Sequence, residues 1–209
     1  LLHRAIDRFT DHHPVVRGSV ARMRQRFGRY ATVVTDVFYD HFLARDFSHY
    51  HDQPLGDYAT AMAALLGKHV DTFPERSRRF YRYMVANNVL VSYANVSGIA
   101  EVLARMAERT RFVSHMDQAG EELQHHYTDY DADFGLFFPE LCKFASAERA
   151  MRDKARTVPT TSETGPMRSM TRVKPASSDV TASVASRSLD FKVVNRISTT
   201  PAGFIETRL

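Results

Sequence analysis

His3 and Asp7 stand four residues apart, one helical turn, in a segment whose apolar residues Leu2, Ile6 and Phe9 gather on another side of the wheel. Thr10 and Asp11 share the polar arc of His3 and Asp7, which spans roughly 100°. An imidazole nitrogen and a carboxylate oxygen at this spacing can reach one cation, and the pair suits Mn, Fe, Zn or Mg to differing degrees. With Arg4 and Arg8 beside them, the same residues also fit a solvated helix face. A second constellation is Asp36-Val37-Phe38-Tyr39-Asp40-His41-Phe42. His41 falls in the middle of an apolar stripe made by Val33, Val34, Val37, Phe38 and Phe42, with Asp40 at its edge and Asp36 further out. A carboxylate at the rim of a buried face needs a metal, an arginine or a hydroxyl, because burying it unpaired is expensive. His41 alone reads as a satisfied core histidine; Asp40 beside it adds the alternative of an ion site.

Helices must position these groups. Through residues 1–150 apolar positions recur at three and four, not at two. Pro14 fits the first turn of a second helix after a short opening one, and Gly28 separates that helix from one over Val33–Phe47. Pro54 and Gly56 mark a turn before a helix over Tyr58–Phe73; Pro74 ends it, and Glu75–Ala86 forms the next. Ile99, Val102, Leu103 and Met106 repeat helically. A long helix is expected from about Val113 to Tyr130, then a last one over Phe134–Met151. Alternating β-branched runs are absent, and the expectation is an all-α single helical bundle domain.

The composition changes near residue 156. Residues 157–209 hold seven Lys/Arg and four Asp/Glu, a net of +3 out of the whole chain's +4, so the basic balance belongs mostly to this stretch. It is rich in Ser, Thr and Pro without sustained periodicity, which predicts a disordered tail after a 1–156 domain. No apolar run approaches the length of a membrane helix. The opening Leu1-Leu2-His3-Arg4 lacks a methionine and the order of a signal peptide, so the chain reads as a cytoplasmic protein and a fragment. The single cysteine, Cys142, follows Leu136-Phe137-Phe138 and Leu141 and reads as a buried structural thiol.

Taken in order, Leu2-His3-Arg4-Ala5-Ile6-Asp7-Arg8-Phe9-Thr10-Asp11 and then Asp36-Val37-Phe38-Tyr39-Asp40-His41-Phe42-Leu43 resemble the bacterial acyl carrier protein phosphodiesterase family. That family carries an H-R-x-I-D-x-(F/M)-T-D block followed by a D-x-x-x-D-H-F-L block. Weaker agreement runs through Gly98-Ile99, Leu103, Met106 and Arg109 to Phe137-Phe138-Pro139-Glu140-Leu141. The resemblance implies an HD-domain-like helical fold and hydrolysis of holo-acyl carrier protein to the apo-protein and 4′-phosphopantetheine. It implies Mn²⁺ as the ion, with Mg²⁺ or Fe²⁺ as alternatives. By motif position it offers His3, Asp7, Asp36 and Asp40 as metal ligands and His41, Asp40 and Arg4 as catalytic groups. The family also has an upstream G-x-x-x-x-D-F helix whose aspartate is expected to be a ligand, and that segment is not in this sequence. A bound ion would activate water and neutralise phosphoryl charge. A histidine, His41 or one of His12 and His13, would protonate the leaving serine oxygen. Arg4 would contact a phosphate or pair with Asp7 or Asp11.

An acidic carrier protein calls for a basic surface. Arg17, Arg22, Arg24, Arg26 and Arg29 supply five arginines with no acid among them, and Arg76, Arg78, Arg79 and Arg82 form a second group. Both clusters also fit ordinary solvated faces. Nucleic acid would be drawn to the same arginines, but no nucleic-acid motif accompanies them. His125-His126-Tyr127 reads as helix surface rather than a ligand pair. Two other readings stay open: an HD-like phosphohydrolase of nucleotides or small phosphoesters, and an inactive helical protein that binds acidic partners.

Overall fold

The computed structural model describes residues 2–156, which are helical with short connections and contain no strand. The expected all-α class is what is observed; the tail assigned to residues 157–209 lies outside the described residues. No helix is long and apolar enough to cross a membrane among the described residues.

Helix α1 runs Leu2–His12, and α2 runs Pro14–Phe27 with Pro14 in its first turn. Proline costs nothing there, since its missing N–H would have no intrahelical partner. Val16, Ser19, Met23 and Phe27 form the buried edge of α2. Gly28 then takes φ +54°, a conformation a side chain resists, and a single 3₁₀ turn at Gly28–Tyr30 redirects the chain into α3, Ala31–Arg45. The remaining helices are α4 (Phe47–Tyr50), α5 (Leu55–Gly67), α6 (Glu75–Ala86), α7 (Val89–Ser92), α8 (Val96–Ala107), α9 (Ala119–His125) and α10 (Tyr127–Arg156).

Helix α3 is the axis of the bundle. Its buried residues include Ala31, Val34, Thr35 and every position from Val37 to Ala44, so it is covered on all sides, as expected for a helix that is apolar around its circumference. Helices α2, α8 and α10 pack against it, and α1 closes over α10 through Phe9, which stacks on Phe144 at 4.5 Å.

Two sequence boundaries are corrected. The expected Tyr58–Phe73 helix ends as α5 at Gly67 and is followed by a separate 3₁₀ turn, Val70–Thr72. Gly67 lies under Tyr81, whose hydroxyl donates to Ala63 O at 2.8 Å; a Cβ on Gly67 would sit 2.8 Å from the Tyr81 hydroxyl oxygen. The expected Val113–Tyr130 helix does not form. Val113 is in a loop, Met116–Gln118 is a 3₁₀ turn, α9 ends at His125, and one helix continues from Tyr127 through Pro139 to Arg156. Its buried stripe of Tyr130, Phe134, Phe137, Phe138, Leu141 and Ala145 is uninterrupted. Pro139 and Gly135 lie on the exposed side, so the carbonyl that loses its helical donor is on the solvent face.

Among the described glycines the closest backbone approach is at Gly98 in α8, where a Cβ would meet Ser92 O at 2.1 Å. Gly98→Ala is expected to destabilise the fold by about 1–3 kcal/mol. Gly135→Ala, with nothing within 4 Å of the added carbon, should be neutral or stabilising by about 0.5–1 kcal/mol. Urea denaturation of the two variants distinguishes them, and equal midpoints would contradict the packing described.

Candidate active site

Because α3 is buried all round, every polar side chain it carries must find partners inside the protein. Asp40 and His41 are each 1% exposed, the most deeply buried carboxyl and imidazole among the described residues. Their helix is gripped on two sides. Ser19 Oγ of α2 donates to Asp133 Oδ2 of α10 at 2.6 Å, and the Tyr39 hydroxyl donates to Ser19 Oγ at 3.0 Å. Arg22 Nη1 donates to the same Asp133 oxygen at 3.0 Å. Burial of Tyr39 pushes its phenol up to about 12, so it stays a proton donor at neutral pH.

On the other side, His41 Nδ1 lies 2.8 Å from Tyr93 O. A carbonyl only accepts, so Nδ1 carries the proton and Nε2 accepts from the Tyr127 hydroxyl at 2.9 Å. Arg45 Nη1 in turn donates to the Tyr127 oxygen at 2.9 Å and, with Nη2, forks onto Asp131 at 3.0 and 2.8 Å. Arg45 Nε also donates to Asp46 at 2.9 Å. Hydrogen bonds donated to Asp46 and Asp131 hold the guanidinium charged, and Arg45 holds the Asp46 carboxyl below the usual range. Burial lowers the His41 pKa, against the pull of the Tyr93 bond, so the ring is neutral as this tautomer requires.

The family model described as acyl carrier protein phosphodiesterase matches residues 1–141, a span that contains both sequence blocks and this network. The chain belongs to that family. It is similar to the acyl carrier protein phosphodiesterases of three bacteria. The one from Photorhabdus laumondii is 28% identical over 149 residues, covering 69% of this chain and 73% of the relative. Those of Pectobacterium atrosepticum (26% over 149 residues, 71% and 77%) and Shigella boydii serotype 18 (30% over 146 residues, 69% and 76%) are comparable. No solved structure matches the chain.

The family's two blocks occupy different settings. His3 and Arg4 are exposed and Asp7 half-buried on α1; Asp36 is half-buried and Asp40 buried on α3. Among the described residues no three His, Cys, Asp or Glu side chains converge to hold an ion. The four residues offered as ligands are carried two on α1 and two on α3. His12 Nδ1 donates to Arg8 O at 2.8 Å, and buried His13 donates from Nε2 to Glu140 at 3.0 Å between Phe9 and Phe137. Cys142 is buried, its thiol pushed up to about 11 by burial.

The arginine row of α2 and the 3₁₀ turn after it divides. Arg22 is tied to Asp133, and Arg26 to Gln118, Glu121 and Glu122, while Arg17, Arg24 and Arg29 stay exposed. In the second group, Arg78 pairs with Glu75 at 2.9 Å, and Arg76, Arg79 and Arg82 are exposed. Sequence reading missed Tyr127, Arg45, Asp46 and Asp131. Tyr127 stood beside His125 and His126, which are exposed, and only its i, i+3, i+7 relation to Tyr130 and Phe134 signalled an inward face.

Tyr127→Phe removes the donor to a buried imidazole nitrogen and is expected to cost about 1–3 kcal/mol of stability. The depressed His41 pKa gives a signed pH effect. Above about 6.5, its unfolded value, its contribution is complete; as pH falls below that, the unfolded state takes up a proton that the folded state refuses, and stability is lost. Denaturation midpoints from pH 8 to pH 5 should therefore fall more steeply for the parent than for His41→Gln. Parallel curves would remove His41 from the account.

Proposed function

We propose that this chain hydrolyses the phosphodiester that joins 4′-phosphopantetheine to a serine of holo-acyl carrier protein. Water adds to phosphorus, the bond from phosphorus to the serine oxygen breaks, and that oxygen takes a proton, giving apo-carrier protein and 4′-phosphopantetheine. The match of the family model through both blocks carries the reading. Asp40 supplies a carboxylate whose surroundings are fixed by its neighbours Tyr39 and His41. Arg4, exposed on α1, is suited to neutralising phosphoryl oxygens. His41 serves by position: both ring nitrogens bond within the protein, so it holds α3 rather than presenting a proton.

Dependence on a divalent ion, Mn²⁺ before Mg²⁺ or Fe²⁺, is part of the same proposal and rests on the resemblance in the two blocks. His3 and Asp7 on α1 and Asp36 and Asp40 on α3 are the donors proposed.

The test is incubation of the purified protein with holo-carrier protein and, separately, with nucleotide diesters, each with added Mn²⁺ or with chelator. Apo-carrier protein should form only in the first, with ion present, and Asp40→Asn should lower kcat by about 10²–10⁴-fold, the range for loss of a positioned acid or base. Turnover of nucleotides alone would sink the substrate assignment. Full activity in chelator would sink the ion dependence.

A further inference from the structure

Phe112 and Val113, between α8 and the Met116–Gln118 turn, are 51% and 81% exposed. Adjacent apolar side chains left in water mark an interaction site when the fold holds them there. Thr110 Oγ1 lies 2.8 Å from both Ala107 O and Phe112 O and can donate to either, which ties the strand of loop before Phe112 to the end of α8. Past Val113, Ser114 is buried and its Oγ accepts from Met116 N at 3.4 Å. His115 takes the left-handed conformation, φ +54°, to turn the chain into the 3₁₀ turn. Both flanks of the apolar pair are thus anchored while the pair itself stays outside.

Positive charge surrounds it. The Arg29 guanidinium lies 4.6 Å from the centre of the Phe112 ring, and that of Arg111 lies 5.7 Å away. Among the described residues neither forms an ion pair, in contrast to Arg22 and Arg26 earlier in the same row. A guanidinium over an aromatic ring can still offer its N–H groups to a carboxylate. Arginine with an aromatic anchor is the composition that dominates binding energy at protein interfaces.

We propose that Arg29, Arg111, Phe112 and Val113 form the face on which the carrier-protein substrate docks, meeting an apolar side chain framed by carboxylates. The proposal rests on the reaction proposed above. Charge decides the occupant: the same face of a second copy would bring arginine against arginine, whereas an acidic protein brings the opposite sign.

The experiment measures the affinity for apo-carrier protein and the steady-state kinetics on holo-carrier protein, with the full chain and two double variants. These are Arg29→Glu/Arg111→Glu and Phe112→Ser/Val113→Ser, and melting curves confirm that each stays folded. Both variants should raise Kd and KM by about tenfold or more with kcat little changed, and the charge reversal should flatten the salt dependence. Values within about twofold of the parent, no binding by the parent, or a parent dimer dissociated by the Phe112 variant would each overturn the docking face. Variant-sensitive binding of apo-carrier protein without hydrolysis of the holo-form would instead keep the face and overturn the reaction.

Discussion

The rotation of α3 about its own axis is fixed by hydrogen bonds on two opposite sides, from Tyr39 and from His41. Everything around the candidate site depends on that constraint. Residues 39 and 41 point about 200° apart on a helix, so bonds from both leave α3 no freedom to turn. Asp40 lies between them in sequence and is set in direction by its neighbours. An apolar helix in an apolar core could settle in several rotations of similar packing energy; two buried polar anchors select one.

The network at Arg45 shows how such an anchor is made tolerable. A buried imidazole would be costly if either nitrogen lacked a partner. Its acceptor side is met by Tyr127, whose hydroxyl is met in turn by Arg45, and the charge of Arg45 is balanced by Asp46 and Asp131 near the surface. In this network charge therefore stays with Arg45, Asp46 and Asp131 at the half-buried rim, while His41 and Tyr127 meet it as neutral groups through hydrogen bonds. The arrangement joins α3, the end of α7 and the start of α10 in a single unit.

Most of the architecture was legible in the sequence because helix signals are local. Pro14, Gly28 and Pro74 marked breaks where the chain does break, and the Val33–Phe42 stripe announced a buried helix. The errors came where tertiary contacts decide. Gly67 ends α5 under a tyrosine from α6, and the His115 turn and the break at His126 rest on geometry that no periodicity encodes. Within the site, Asp40 and His41 stood out as polar groups on an apolar stripe. Tyr127 did not, since its partner lies 86 residues away, and a tyrosine beside two histidines carries no sign of direction. The α2 arginines read alike in sequence, and only the carboxylates of α9 and α10 separate Arg22 and Arg26 from the rest.

Tyr127 is the first residue of α10, so the bond that completes His41 hangs from a terminal turn. End turns open at far lower free energy than a helix interior, and they do so without unfolding the domain. Access of water to the imidazole would therefore require movement of that one turn, not of the whole domain. The most deeply placed histidine of the bundle is sealed by a group at a helix junction.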